Sequence, residues 1–133
     1  MSIFDKKTLF SEVNGVVLKD GKPVANAEVT RYFHWHWKDR KSNESTTTNS
    51  QGEFHFDAVR EKSVTASLMF HEPLVSQDIK IFVDGQEYKA WRFTKHDYED
   101  NGELNGRAIK MKCALETEAY FKDEVFGICT LEK

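Results

Sequence analysis

The chain has 133 residues, of which 39% are hydrophobic and 31% are charged, and its formal net charge is −3. This length suits one domain with one core, and the negative charge argues against nonspecific nucleic-acid binding, which depends on Lys and Arg contacts to phosphates. Because the sequence has no run of 18 apolar residues and no signal-like apolar run at its start, we expect no membrane span and a cytoplasmic location.

Alternating apolar and polar residues recur along the chain and predict an all-β, mostly antiparallel sandwich of about eight strands. The first predicted strand, "EVNGVVLK" at 12–19, ends at the turn "DGKP" at 20–23. A longer strand is predicted from Ala27 to Trp37. Its pattern places Phe33, Trp35 and Trp37 in the core and Tyr32, His34 and His36 on the outer face.

The polar segment 38–53 is predicted to be a loop that leads into a strand at "EFHFDAV", residues 53–59. Further strands are predicted at 63–70, 77–83, 86–93, 106–116 and 125–131, with Asp84-Gly85 forming a hairpin turn. Cys113 and Cys129 both alternate with apolar residues. We therefore expect two buried free thiols, with a disulfide as the alternative, and the spacing does not suggest structural zinc.

The run "VNGVVLKDGKPVANAEVT" followed by "TTTNSQGEFHFDAV" resembles the carboxypeptidase regulatory-like family, a transthyretin-like β-sandwich. The resemblance covers roughly residues 13–59. The matching positions are Gly15, Val17, the turn 20–23, Ala27, Val29, Thr48, Gly52, Phe54 and Phe56. The resemblance implies a sandwich over residues 11–83, with 84–133 as an extension of the same single domain 1–133, and it implies a structural or recognition module rather than an enzyme.

His34 and His36 are two residues apart on one predicted strand, so their side chains leave the same face about 6.5 to 7 Å apart. If the strand at 53–59 pairs beside them, His55 could complete a zinc or copper site, with Glu53 as a further ligand or a base. The alternatives are an exposed aromatic and histidine recognition face, or a strand face that is simply solvated. A metal site is not the favoured interpretation.

The segment "KHDYEDNGEL", residues 95–104, is rich in carboxylates and lies close to Trp91 in sequence. Its spacing does not match a calcium-binding loop. It is interpreted either as a solvated loop or as part of a partner-facing patch of aromatic anchors with a charged rim. The predicted partner-binding residues are Tyr32, His34, His36, Trp91, Asp97, Tyr98, Glu99, Asp100 and Glu103.

The sequence contains no nucleophile motif, no phosphate-binding loop and no metalloprotease motif. These observations favour a non-enzymatic protein-binding module without a cofactor, whose partner is another, basic protein. By analogy of size and composition, the specific hypothesis is a bacterial immunity protein or an adaptor linked to a secreted interbacterial toxin system. The alternative is a metal-binding or hydrolytic sandwich that uses the face of His34, His36 and His55. The oligomeric state is not specified by the sequence.

Overall fold

A computed structural model describes residues 6–132, and this range is built mostly from β-strands. A short helix α1, Val64–Leu68, follows β7, and a 3-10 turn, Gly102–Leu104, follows β9. The strands are β1 Lys6–Phe10, β2 Val13–Lys19, β3 Lys22–Pro23, β4 Glu28–Trp35, β5 Arg40–Thr47, β6 Glu53–Phe56, β7 Val59–Lys62, β8 Val75–Val83, β9 Gln86–Lys95, β10 Ile109–Ala114, β11 Tyr120–Lys122, β12 Val125–Gly127 and β13 Cys129–Leu131. The all-β prediction is confirmed, and the predicted number of about eight strands is too low.

Two larger sheets form the layers of the sandwich. The six-stranded sheet has the order β11-β12-β9-β8-β4-β5, and the five-stranded sheet has the order β13-β10-β2-β3, with β6 also paired to β2. A separate two-stranded sheet joins β1 to β7. Among the described pairings β2 with β10 is parallel and the others are antiparallel, so the prediction of a mostly antiparallel fold is confirmed.

The core lies between the sheets and is filled by the inward residues of the alternating strands. Phe33 and Trp35 of β4 are buried, as the sequence predicts. Trp37 lies beyond the end of β4 and is only partly buried against the core. A large apolar side chain that is fully buried, such as that of Phe33, stabilises the fold by about 1.5 to 3 kcal/mol. Other buried residues of this core include Val13, Val17, Ile79, Ile81, Trp91 and Ile109.

The polar segment predicted as a loop instead contains β5, which is the edge strand of the six-stranded sheet. Most of its side chains are exposed. The apolar and polar alternation that reveals a half-buried strand is therefore missing, and charged residues suit an edge that must not pair with other chains. Because β4 pairs with β5 on one side and β8 on the other, β6 pairs with β2 instead of with β4.

The strand predicted at 63–70 is also wrong, because Val64–Leu68 within this range forms α1. Ser63 is the N-cap of this helix, and its Oγ accepts a hydrogen bond of 3.1 Å from the backbone N–H of Ala66. Such a cap satisfies a backbone donor that a helix leaves unpaired, and it outweighs the weak alternation of the segment. Of the helix residues only Ala66 is buried.

The prediction of two free thiols is wrong, since Cys113 and Cys129 form a disulfide. The two residues lie directly opposite each other on β10 and β13. Alternation placed Cys113 correctly in the interior, but it could not show which strand lies beside β10. Disulfides persist mainly in oxidising compartments, so the bond does not favour the cytoplasmic location, which stays a prediction. No helix in residues 6–132 is both long and apolar enough to cross a membrane.

Candidate functional site

Two of the residues predicted to contact a partner are inside the protein. Trp91 is fully buried, and its Nε1–H donates a hydrogen bond of 3.0 Å to Gln77 Oε1. Glu103 is also buried, and its carboxylate accepts hydrogen bonds from the backbone and the hydroxyl of Ser11. The prediction that Trp91 and Glu103 line a binding surface is therefore wrong, because both side chains already have internal partners.

A buried lysine explains why the carboxylate-rich segment 95–104 packs onto the sandwich. Lys95 Nζ, which is fully buried, donates to Glu103 Oε1 at 3.2 Å, to Asp97 Oδ1 at 2.9 Å and to the carbonyl oxygen of Glu99 at 2.6 Å. Gln77 Nε2 adds a hydrogen bond of 2.9 Å to Glu103 Oε2. A buried ion is tolerated only when it is paired and hydrogen-bonded in this way. These carboxylates thus serve as internal counterions of the fold.

Asp100 is likewise held by neighbouring residues of the same chain. Arg60 donates to both of its carboxylate oxygens, and the Thr8 hydroxyl also donates to it. The hydrogen bonds from Arg60, followed by the one from Thr8, lower the pKa of the Asp100 carboxyl. Of the four carboxylates predicted to contact a partner, Asp97, Asp100 and Glu103 take part in these internal pairs. The side chain of Glu99 is exposed and takes no part in them.

His34 lies on the outer face of β4 and His36 immediately follows this strand; their side chains are neighbours, as predicted, with ring centroids 4.0 Å apart. His34 Nε2 is 2.7 Å from Asp39 Oδ1, and His36 Nε2 is 2.9 Å from Ser76 Oγ. The hydrogen bond to His34 is the main cause of a lowered Asp39 pKa. His55 lies on β6 in the other sheet, so the predicted site of His34, His36 and His55 is not formed.

Tyr32 lies half-buried on the same outer face of β4. Its cross-strand neighbours are Asn43 on β5 and Asp78 on β8. These residues border a shallow groove of about 410 Å³ whose other lining residues are mostly polar. The prediction that Tyr32 contacts a partner is compatible with its position and stays a prediction.

Tyr98 is the centre of a hydrogen-bonded chain that begins in the core. Trp35 Nε1–H donates to the Tyr98 hydroxyl oxygen at 3.0 Å, and that oxygen lies 2.6 Å from His71 Nε2. His71 Nδ1 lies 2.9 Å from the carbonyl oxygen of Met69, so it carries a proton and Nε2 accepts from the tyrosine. Burial raises the pKa of the Tyr98 hydroxyl. The hydroxyl therefore stays protonated and can donate a hydrogen bond to His71.

Beside Tyr98 lies a cleft of about 360 Å³, and one wall of it is an exposed apolar segment, defined here as residues 68–70. Leu68, Met69 and Phe70 have exposed fractions of 65%, 56% and 106%. The next residue, His71, stacks on Trp37 with ring centroids 4.0 Å apart. Sequence reasoning missed this feature because it placed the apolar residues on a buried strand face. The capping serine before Val64 is the signal that could have revealed it.

The profile of a family described as a domain of unknown function, DUF6795, matches residues 13–118, which is most of the chain. The chain belongs to this family. The match begins at β2 and includes the apolar segment and Tyr98, while β11 to β13 and Cys129 lie outside it. A comparison with curated proteins found no match. Membership of DUF6795 names no activity and no partner, and the likeness to carboxypeptidase regulatory-like domains stays a prediction.

Proposed function

We propose that this DUF6795 domain is a non-enzymatic protein-binding module whose apolar segment enters an apolar pocket on a partner protein. The observation that carries the proposal is the complete exposure of Phe70 next to the exposed Leu68 and Met69. Contiguous apolar surface is costly to leave in water, and aromatic anchors contribute much of the binding energy in protein interfaces.

The segment is held in position before any partner arrives. The Met69 carbonyl accepts a hydrogen bond from His71, and His71 is fixed in turn by Tyr98 and by stacking on Trp37. Because Tyr98 is bonded to the buried Trp35, the chain of contacts runs into the core. A contact loop that is ordered in the free protein loses less entropy on binding, which favours affinity.

Exposed carboxylates next to the cleft suggest a basic partner. Glu72 follows His71 in the chain and Glu99 follows Tyr98, and both glutamates are exposed. Charges at the rim of an interface mainly accelerate association with a partner of opposite sign. We expect replacement of Glu72 and Glu99 by lysine to slow association. The change at Glu72 also removes an exposed contact of 3.4 Å with His96, whereas reversal at Asp97 or Asp100 would break the pairs with Lys95 and Arg60.

Within this class we favour an immunity protein or an adaptor linked to a secreted interbacterial toxin system, in which the basic partner is a toxin. The small size and the acidic net charge of the chain support this role. Genes for a secreted toxin beside the gene for this chain would support it, and coexpression should then relieve the toxicity. Toxicity that the chain does not relieve would contradict it.

The test compares Phe70→Ser with Phe121→Ser as a matched control. Phe121 is also exposed, at 75%, but it lies on β11 at the far edge of the six-stranded sheet. Proteins captured from cells of the source organism by the immobilised wild-type chain are identified, purified and measured by calorimetry. We expect Phe70→Ser to weaken binding at least about ten-fold and Phe121→Ser to leave it unchanged.

The proposal fails if the two substitutions have equal effects, or if every purified candidate binds Phe70→Ser as tightly as the wild type. Sedimentation of the wild-type chain adds a second measurement. A dimer that Phe70→Ser dissociates would show that a second copy occupies the segment, which contradicts a separate partner protein. Folding of both variants is checked by their thermal unfolding curves.

A further inference from the structure

A group of three potential metal ligands lies on the five-stranded sheet, away from the apolar segment. Glu12 immediately precedes β2, His55 lies on the adjacent β6, and Asp57 immediately follows β6. One ligand atom from each residue lies within 4.8 Å of the other two. His55 Nε2 is 2.8 Å from Asp57 Oδ1 and 3.8 Å from Glu12 Oε2.

The imidazole of His55 is oriented by a residue outside this group. His55 Nδ1 lies 2.8 Å from Asn14 Oδ1, and Asn14 is its direct cross-strand neighbour on β2. The amide oxygen is an acceptor, so Nδ1 carries a proton and Nε2 is the nitrogen that faces the two carboxylates. Metal-binding histidines are typically fixed by a hydrogen bond of this kind from the ring nitrogen that does not bind the metal.

A buried arginine fixes the backbone that carries both carboxylates. Arg31 donates through one nitrogen to the carbonyl oxygen of Asp57 at 2.6 Å and through another to the carbonyl oxygen of Ser11 at 3.2 Å. Its guanidinium lies between the rings of Phe10 and Phe56, at 4.7 and 4.8 Å from their centroids. The ligand group is therefore attached to rigid elements of the core.

We propose that Glu12, His55 and Asp57 bind one divalent transition-metal ion, for which Zn²⁺ is the best match. Ligands of a tetrahedral zinc ion with bonds of about 2.0 to 2.2 Å lie about 3.3 to 3.6 Å apart, and the two distances from His55 Nε2 bracket this range. One imidazole and two carboxylates match the preference of zinc for nitrogen and oxygen ligands. The fourth position of the ion would face solvent, because all three side chains are exposed.

The site differs from the predicted group of three histidines and does not depend on the proposed protein-binding function. It shares His55 with that group, but its other ligands are carboxylates that strand pairing brings together. Binding of zinc requires no step that involves the apolar segment. Loss of partner binding in Phe70→Ser and loss of zinc binding in a His55 variant are therefore separate results.

The test uses the full chain without an affinity tag, freed of metal by a chelator, and zinc chloride as the probe at pH 7.5. Calorimetry should show one zinc ion per chain, and His55→Ala should abolish this binding. We expect Glu12→Gln and Asp57→Asn to raise the Kd at least about ten-fold, and Asn14→Ala to raise it about 10-fold or more. His34→Ala is the control, because His34 also lies beside an aspartate but on the other sheet.

Nitrogen-15 NMR of the histidine rings provides a readout that needs no substitution. Zinc should shift the Nε2 resonance of His55 in the wild-type chain and leave that of His34 in place. The proposal is overturned if no saturable binding occurs, if His34→Ala rather than His55→Ala removes it, or if the His55 resonance does not respond. If His55 only forms an internal ion pair with the two carboxylates, no saturable zinc binding will be observed.

Discussion

Removal of the disulfide between Cys113 and Cys129 should destabilise the fold by a predictable amount. The bond closes a loop with a sequence separation of 16 residues, and in the chain-entropy treatment this corresponds to about 3 kcal/mol at 25 °C. The segment 125–131 also contributes β12 to one sheet and β13 to the other. The bond therefore fastens the strand segment that passes between the two layers.

Cys129→Ser is the appropriate substitution, because Cys129 is only partly buried whereas Cys113 is completely buried. Urea unfolding should show a loss of about 3 kcal/mol, a large fraction of the 5 to 15 kcal/mol that is typical of a domain. The wild-type chain with a reducing agent should match the variant, and the agent should not affect the variant. A loss below about 1 kcal/mol, or an equal effect of the reducing agent on both proteins, would refute the reasoning.

Two further predictions concern the ion pairs. Lys95→Met leaves the buried Glu103 without its cation and should lower the free energy of unfolding by about 3 to 5 kcal/mol. Arg92→Met breaks an exposed pair with Asp78 and should lower it by less than about 1 kcal/mol, so similar losses for the two variants in urea unfolding would contradict this assignment. Because the folded-state pKa of Asp100 is lowered, its stabilisation is present above the ordinary value of 3.8 and is lost as the pH falls through the folded-state pKa. Asp100→Asn should remove this part of the stability curve between pH 7 and pH 2, and an unchanged slope in that interval would argue against the pair with Arg60.

The strands with one buried face could be predicted from the sequence, and those without one could not. The alternation in β4 placed Phe33 and Trp35 in the core correctly, and the same reasoning identified most of β8, β9 and β10. The edge strand β5 has no buried face, so its sequence resembles that of a loop. This error also affected the predicted metal site, because β5 occupies the position beside β4 at which β6 was expected.

The outer faces of the strands were predicted more reliably than the contacts that they make. His34 and His36 share a face, as expected, but which strand lies beside them depends on long-range pairing. Pairing of β2 with β6 brings Asn14 opposite His55, and the residues that flank these strands then supply Glu12 and Asp57. A spacing rule within one strand cannot reveal such a group, because its members come from two strands that are far apart in sequence.

Charged or amide side chains at inward strand positions are a signal that was overlooked in the sequence, although they lie next to both proposed binding sites. Arg31 stands between Val29 and Phe33 on the inward face of β4, and Lys95 follows Trp91 and Phe93 on that of β9. An ion at such a position must find buried partners, since transfer of an unpaired charge from water costs far more than one apolar contact returns. Arg31 holds the backbone at Ser11 and Asp57, and Lys95 holds the loop beside Tyr98. Each buried cation thus positions the backbone next to one of the two proposed binding sites, which connects the exceptions in the sequence pattern to the surfaces proposed to carry function.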